Sequence, residues 1–499
     1  MTELAHPDRL AKIAALRSEG KDPYPARGVD CEPLERLIAG GGSVEEPGPL
    51  IGERVTAAGR ILGLRDFGKL IFAPLVDRSG RLQVGMQKDR LGDWWPDRKR
   101  LDGGDILAVT GELGRTQKGE LTIWAEEVQL LSKALAPPPE KWHGLVDIEQ
   151  RRRRRYVDLW SSESVSEVFI KRSRLISIAR RFLEERGFLE VETPTLHPIV
   201  GGAAARPFTT HHNALGVDLY LRIAPELYLK RLIVGGLERV FEVARNFRNE
   251  GIDATHNPEF TMLELYQAQA DFRHMMELSE TLVEELAVEL TGSKTITYRG
   301  RQFDLSAPFR RARYDELFRE KNGFELDDEP AVRSKAAELG LKADPKTDFW
   351  KLLAELFDVT VEESLTGPVF VTHYPVPLCP LAKTDPQDAR FAERFELFIA
   401  GMELANAFSE LNDPQEQERR FEEQVASKDP EVPGEVDIDY VQALEFGMPP
   451  TGGMGIGIDR LAMLLTDQPS IRDVLLFPTL RPQPQGGGPS SEQEHAQEK

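Results

Sequence analysis

Only two cysteines, Cys31 and Cys379, occur in the 499 residues, and they lie far apart. A disulfide framework is excluded, and a reducing cytoplasm fits best. No apolar run approaches the ~18 residues needed to cross a bilayer, so no membrane partner is expected. The N-terminus, MTELAHPDRLAKIAALRSEGK, lacks the basic, apolar, small-residue order of a secretory signal. Positive charge is also short. Against 83 Asp+Glu stand 63 Lys+Arg, a net of −20, which taken alone argues against nucleic acid, and no DNA partner is expected. The shortage is uneven: residues 51–135 hold 14 basic and 12 acidic residues, so that segment is +2 and the remainder −22. A polyanion is bound by a local patch, and a tRNA-sized partner stays open. No internal repeat is visible.

What is present reads as several domains with ample length for a large core. Residues 1–50 predict a short helix, stopped near DPYPA, and then a Gly/Pro-rich linker, IAGGGSVEEPGPL. Residues 51–135 alternate in five short runs separated by DFG, DRSG and QKG, the spacing of a small OB-type β-barrel. Residues 136–150 are a proline-stiffened connector. From 151 to 482 the texture is α+β, with an amphipathic helix in KRSRLISIARRFLEERGF and strands in RVFEVARNFR, EFTMLELY, PVFVTHY and RFELFIAGMELANAFSE. PTGGMGIGIDRLAML runs from glycines into a helix. Residues 483–499 are low-complexity and read as a disordered tail. The glycines at 452–457 do not open a strand–turn–helix unit with a later acidic residue, so a dinucleotide fold is a poor reading.

The stretch FRNEGIDATHNPEFTMLELY, residues 247–266, packs a cation, an imidazole, carboxylates and rings together. Side chains alternate along a strand. In RVFEVARNFR, Phe241, Val243 and Phe247 form the core face; Glu242, Ala244, Asn246 and Arg248 form the other. In EFTMLELY, Phe260, Met262, Glu264 and Tyr266 share a face. A half-buried sheet with its wet side outward explains Glu242 and Asn246, but not the rings beside Glu264. In ANAFSE, Asn406, Phe408 and Glu410 repeat the mixture. Glu396 lies upstream; parity puts Glu403 on the opposite face unless Gly401 bends the strand. Carboxylates this dense beside apolar groups point to a cation, metal or ammonium. For any single Glu the plain reading is a surface carboxylate.

FRNEG with HNPEF resembles motif 2 of the class II aminoacyl-tRNA synthetases, GIGIDR resembles motif 3, and RGFLEVETPTL, ending at Pro194, resembles motif 1, the dimer element. Behind an OB-type barrel, this order resembles the subclass of lysyl, aspartyl and asparaginyl enzymes. GGAAARPFTTHHNALGVDLYLRIAPELYLKRL, HNPEFTMLELY, FSELNDP and GIGIDRLAML are similar to the bacterial lysyl-tRNA synthetases in particular. The resemblance runs from about Arg54 to Pro482. It implies a cytoplasmic homodimer that joins lysine to tRNA(Lys) with ATP as substrate and Mg²⁺ as cofactor. Joining a carboxylate to a phosphate brings anions together, so catalysis is positioning and charge neutralisation.

By that resemblance, Arg248 and Arg460 are catalytic. ATP is held by both arginines with Glu250, His256, Asn257 and Phe260. Glu396 and Glu403 are the metal ligands. Lysine is held by Gly202, Glu226, Arg248, Glu264, Tyr266, Asn406, Phe408 and Glu410, the side-chain ammonium meeting Glu264, Glu410 and Tyr266. An aspartate pocket would instead face a cation. Ala405 and Ala407 stand where the family often has glycines and are expected to tighten the pocket floor. In the barrel, Phe72 is implied to stack on an anticodon base, with Arg65, Gln83 and Glu120 as polar readers; core packing of Phe72 is the competing reading. The run Arg151–Arg155 reads as a helical face making ion pairs, and His211 and His212 as structural. Trp94 and Trp95 read as packing a barrel connection, and Cys379 as buried. Two other readings remain open: a protein-lysylating relative, which would lack the barrel, and a non-catalytic regulator, which need not retain Arg248, Arg460, Glu396 and Glu403.

Overall fold

The structure, a computed structural model, describes residues 4–41, 48–139, 144–427 and 434–482. The expected tail, 483–499, and part of the linker lie outside them. The chain divides into two compact units, Met1–Ser166 and Glu167–Lys499.

In the first unit, helix α1 (Pro7–Ser18) starts with proline at its first turn, where the missing N–H costs nothing. Helix α2 (Leu34–Gly40), unexpected from the sequence, buries Leu34 and Leu37 in the barrel core. The barrel strands are β1 (Gly48–Ile61), β2 (Leu70–Val76), β3 (Arg81–Gln87), β4 (Ile106–Arg115) and β5 (Leu121–Ser132). They run in the order β1-β4-β5-β3-β2, and β2 pairs back onto β1 through Arg60↔Val76 and Ile61↔Leu75. Closure leaves only short edges to protect. Ile71, Ala73 and Leu75 point into the barrel. Trp95 fills it from the connection after β3, with Trp94 packed alongside. The arginine run forms ion pairs as expected: Arg151 and Arg155 meet the buried Asp158 at 3.1 and 2.8 Å, and Arg153 meets Glu149 at 2.6 Å.

The second unit is built on an eight-stranded sheet. Its strands are β6 (Leu189–Glu190), β7 (Arg239–Phe247), β8 (Glu259–Ala268), β9 (Arg310–Arg313), β10 (Val369–Thr372), β11 (Arg394–Ile399), β12 (Met402–Ser409) and β13 (Thr451–Gly457). The order is β9-β10-β11-β12-β13-β8-β7-β6, antiparallel except at the two outer pairs. The motif RGFLEVETPTL contributes only the two residues of β6 to this sheet.

One face of this sheet carries the core. Phe241, Leu263, Leu265, Phe395, Leu397, Ala405, Ala407, Met454 and Ile456 pack there against helices α3 (Glu163–Glu184) and α5 (Phe272–Thr291). A period of two then forces their neighbours onto the opposite face. Helix α4 (Glu226–Val234) lies between them in sequence, and helices α6 (Ile438–Glu445) and α7 (Ile458–Leu465) follow.

Candidate active site

The second face of the sheet carries the polar groups, and the ladder registers align them in rows. Glu242, Glu264, Gly455, Asn406 and Glu396 are consecutive cross-strand partners over β7, β8, β13, β12 and β11. The next row is Val240, Tyr266, Gly453, Phe408 and Arg394. Glycines in β13 keep the middle of this floor bare. A Cβ on Gly453 would lie 1.9 Å from Glu410 Oε1 and 2.4 Å from the Tyr266 ring. Only glycine lets those two groups meet.

Ala405 and Ala407 do not line the pocket. They point into the core on the other face, at 2% and 0% exposure. The expectation that they tighten the floor is corrected: alternation carries their methyls away from it. Nor is Glu242 a wet-face residue. It is buried, salt-bridged to Arg222 at 2.6 Å and hydrogen-bonded by the Thr193 hydroxyl at 2.7 Å.

Glu403 does join Glu396, by a device other than Gly401. Between β11 and β12 the register slips: Leu397 faces Ala405, but Phe398 faces Glu403. Leu404 is a bulge residue and turns into the core beside Ala405. The extra residue restores Glu403 to the face of Glu396. Gly401, with φ of +72°, serves the hairpin turn instead.

Around Glu403 the charges form a chain. Arg460, in the first turn of α7, reaches the Glu403 carboxylate at 3.2 Å and its backbone carbonyl at 2.8 Å. Arg460 also donates to His256 Nε2 at 3.0 Å, while His256 Nδ1 meets Asp253 at 2.8 Å. Helix α7 is pinned by Asp459, which pairs with Arg172 and accepts the Thr261 N–H at 2.7 Å. Arg248 lies over the Phe260 ring at 5.1 Å, its Nε buried without a hydrogen-bond partner. Burial lowers its pKa, against the pull of Glu403, Glu250 and Glu264. The Asn257 amide donates to the Glu259 carbonyl at 2.6 Å, and Glu250 is exposed on the same loop.

Glu396 accepts from Arg394 at 2.5 Å and from the Tyr374 hydroxyl at 2.7 Å. Burial pushes its pKa up to about 7 against Arg394, and the Glu403 carboxylate adds to the rise. Among the described residues no three His, Cys, Asp or Glu side chains are arranged to hold a metal alone. Two crowded carboxylates fit a cation that takes its other ligands from a bound anion and water, as Mg²⁺ does.

Deeper in, Glu226, Glu264, Tyr266 and Glu410 are all buried. Gly202, at φ +86°, turns the chain against Glu226; a Cβ there would sit 3.1 Å from that residue's Cβ. The Tyr266 hydroxyl donates to Glu264 at 3.4 Å. Burial and the Glu226 carboxylate push Glu264 up to about 8, against Arg248. Burial likewise raises Tyr266 well above its ordinary range. Neither Glu410 oxygen, nor either end of the buried Asn246 amide, has a hydrogen bond of ordinary geometry. Sequence reasoning missed Lys230, whose ammonium lies between Glu226 at 2.6 Å and Glu410. The i, i+4 spacing of Glu226 and Lys230 was the available signal, but it reads as a surface pair.

In the barrel, Phe72 is outside the core cluster, half-buried, with edge contacts to Phe67 and Trp124 at 6.3 and 6.0 Å. Arg65 is its ladder partner and donates to Gln83 at 3.3 Å; Gln83 donates to Thr122 at 3.0 Å. Glu120 is exposed at the start of β5. Core packing of Phe72 is thereby set aside. His211 is exposed and paired with Asp218 at 2.7 Å, and Cys379 is buried.

Comparison with known families matches residues 147–481 to the class II tRNA synthetases (D, K and N) and residues 55–131 to the OB-fold nucleic acid binding domain. The chain is 52% identical over 482 residues to the lysine–tRNA ligase of Roseiflexus castenholzii, covering 95% of this chain and 98% of that one. It is 51% identical to the lysine–tRNA ligases of Magnetococcus marinus and Moorella thermoacetica, covering 95% of this chain and 96% and 97% of theirs.

Proposed function

The chain belongs to the class II tRNA synthetases of the D, K and N group, and we propose that it is the member that charges tRNA(Lys) with L-lysine. One observation carries the choice of amino acid. The pocket floor presents Glu264, Glu410 and Tyr266, all buried, and the cation beside them, Lys230, is already ion-paired with Glu226 and Glu410. A side-chain ammonium satisfies that set; a side-chain carboxylate would be repelled.

The geometry supports an in-line attack of the lysine carboxylate on the α-phosphate of ATP. Arg248 neutralises both anions where they meet. Phe260 and Glu250 receive the adenine, and Arg460, with His256 and Asn257 beside it, closes over the nucleotide. Glu226 and the Gly202 turn hold the α-ammonium, while Asn406 and Phe408 line the side-chain channel. Glu396 and Glu403 would hold Mg²⁺, which supplies neutralisation of phosphate charge when bound. Preorganised charge of this kind costs no reorganisation during the reaction. The barrel presents Phe72, Arg65, Gln83 and Glu120 to single-stranded anticodon bases by stacking and edge contacts. The α3–β6 segment leaves Ile170 and Leu189 half exposed, which supports a homodimer through this motif.

Pyrophosphate exchange assayed with each of the twenty amino acids tests the reading. Lysine is expected to drive exchange and aspartate to be inert; exchange driven by aspartate or asparagine overturns it. Sedimentation at micromolar concentration tests the dimer, and an active monomer refutes it.

A further inference from the structure

Three carboxylates, Glu226, Glu264 and Glu410, are buried in one pocket. Their mutual repulsion and desolvation are costly unless cations enter with them. One cation is already inside. Lys230 has no exposed surface; its Nζ lies 2.6 Å from Glu226 Oε1 and against Glu410 Oε2. Around it are the Phe408 ring at 5.3 Å and the Tyr440 ring of α6 at 6.0 Å. Burial works against the ammonium, but Glu226 and Glu410 outweigh it and hold its pKa above the ordinary value.

We infer that Lys230 is a specificity-determining positioning residue, an internal counter-ion that sets the pocket's charge so that it is completed by a ligand bearing two ammonium groups. Three carboxylates less one ammonium leave two negative charges. An α,ω-diamino acid brings two positive ones, and its carboxylate is left to Arg248. A monoammonium amino acid of equal length leaves one buried carboxylate uncompensated. Lys230 also fixes the division of labour. It ties Glu226, on α4, to Glu410, which follows β12, so that neither carboxylate can swing to take both ligand ammonium groups. Lys230 takes Glu410 Oε2, and Oε1 has no hydrogen-bond partner, ready for a donor from the ligand.

This inference rests on the lysine-activating reading, and the test separates the two. Pyrophosphate exchange is measured for lysine and for norleucine with the unaltered protein, with Lys230→Met, and with Lys230→Met/Glu226→Gln. A protein that fails to activate lysine before any substitution defeats the lysine-activating reading itself. With Lys230→Met, one pocket carboxylate takes up a proton. The KM for lysine is expected to rise roughly tenfold or more, the KM for ATP to change little, and the preference for lysine over norleucine to narrow. The double variant removes the Lys230–Glu226 pair as a neutral unit, so it is expected to fold even where the single variant does not. It restores the count of two negative charges; because Glu226 also meets the α-ammonium that lysine and norleucine share, both KM values are expected to rise together while the preference between them stays near that of the unaltered protein. An unchanged lysine KM and preference in Lys230→Met, or a collapsed preference in the double variant, overturns the inference.

Discussion

Glu242 and Glu264 face each other as ladder partners on β7 and β8, yet only Glu242 has an arginine in contact. Arg222 satisfies the first. The second is held up to about 8 by burial and by Glu226. Below that pH the empty pocket carries a proton that the lysine ammonium must displace. The KM for lysine is therefore expected to fall by roughly tenfold per unit as pH rises from 6.5 towards 8, and then to level. The rate at saturating lysine changes less. A flat lysine KM across that range, measured by pyrophosphate exchange, contradicts the assignment.

The same group carries a stability consequence. Its folded pKa lies above the unfolded value, so its favourable contribution is full below about 4.5 and is lost as pH rises through about 8. Glu264→Gln removes that penalty. At pH 8.5 and without lysine, the variant is expected to be more stable than the unaltered protein, by on the order of a few kcal/mol. At pH 4.5 the difference vanishes. Thermal melts at the two pH values check both arms, and activation of lysine by the variant is expected to be nearly lost.

Much of this site is legible from alternation alone. Parity in EFTMLELY and ANAFSE places Phe260, Glu264, Tyr266, Asn406 and Phe408 on one face, and the ladders agree. Two things escape parity. The bulge at Leu404 moves Glu403 to the face of Glu396, and a single inserted residue has no period to betray it. Lys230 sits in a helix among Leu, Tyr and Arg, where nothing local says that its charge is buried. Ala405 and Ala407 were misread because similarity to glycine positions outweighed the strand period. The barrel strands were readable from their turns, while the burial of α2 depends on contacts distant in sequence.

Gly453→Ala tests the bare floor. The new methyl would overlap the Glu410 carboxylate and the Tyr266 ring, both buried, so that one of them must shift. Overpacking of this kind costs about 1–3 kcal/mol, drawn here from the lysine pocket. The KM for lysine is expected to rise by one to two orders of magnitude, while the KM for ATP moves little. Equal loss for both substrates would show that the floor serves the fold and not the pocket.

Glu403→Gln tests the cation. Glu403 is partly exposed at 39% of its side chain, and its carbonyl still receives Arg460, so the fold is expected to survive. Adenylate formation is expected to be lost, and excess chelator to silence the unaltered protein. Full activity in the variant, or in chelator, assigns the metal elsewhere.

Phe72→Ala separates the two functions. The ring lies outside the barrel core and meets Phe67 and Trp124 edge-on, so its removal is expected to leave Ile71, Ala73 and Leu75 packed. A base stacked on it contributes about 1–3 kcal/mol. Its loss is expected to raise the KM for tRNA or slow the transfer step by roughly tenfold. Lysine activation without tRNA is expected to be unchanged, because all the residues assigned to it belong to the other compact unit. A circular dichroism melt guards against the trivial outcome. If the barrel melts early and both steps fall together, Phe72 is packing; if the melt is intact and only the tRNA step falls, the ring meets the anticodon.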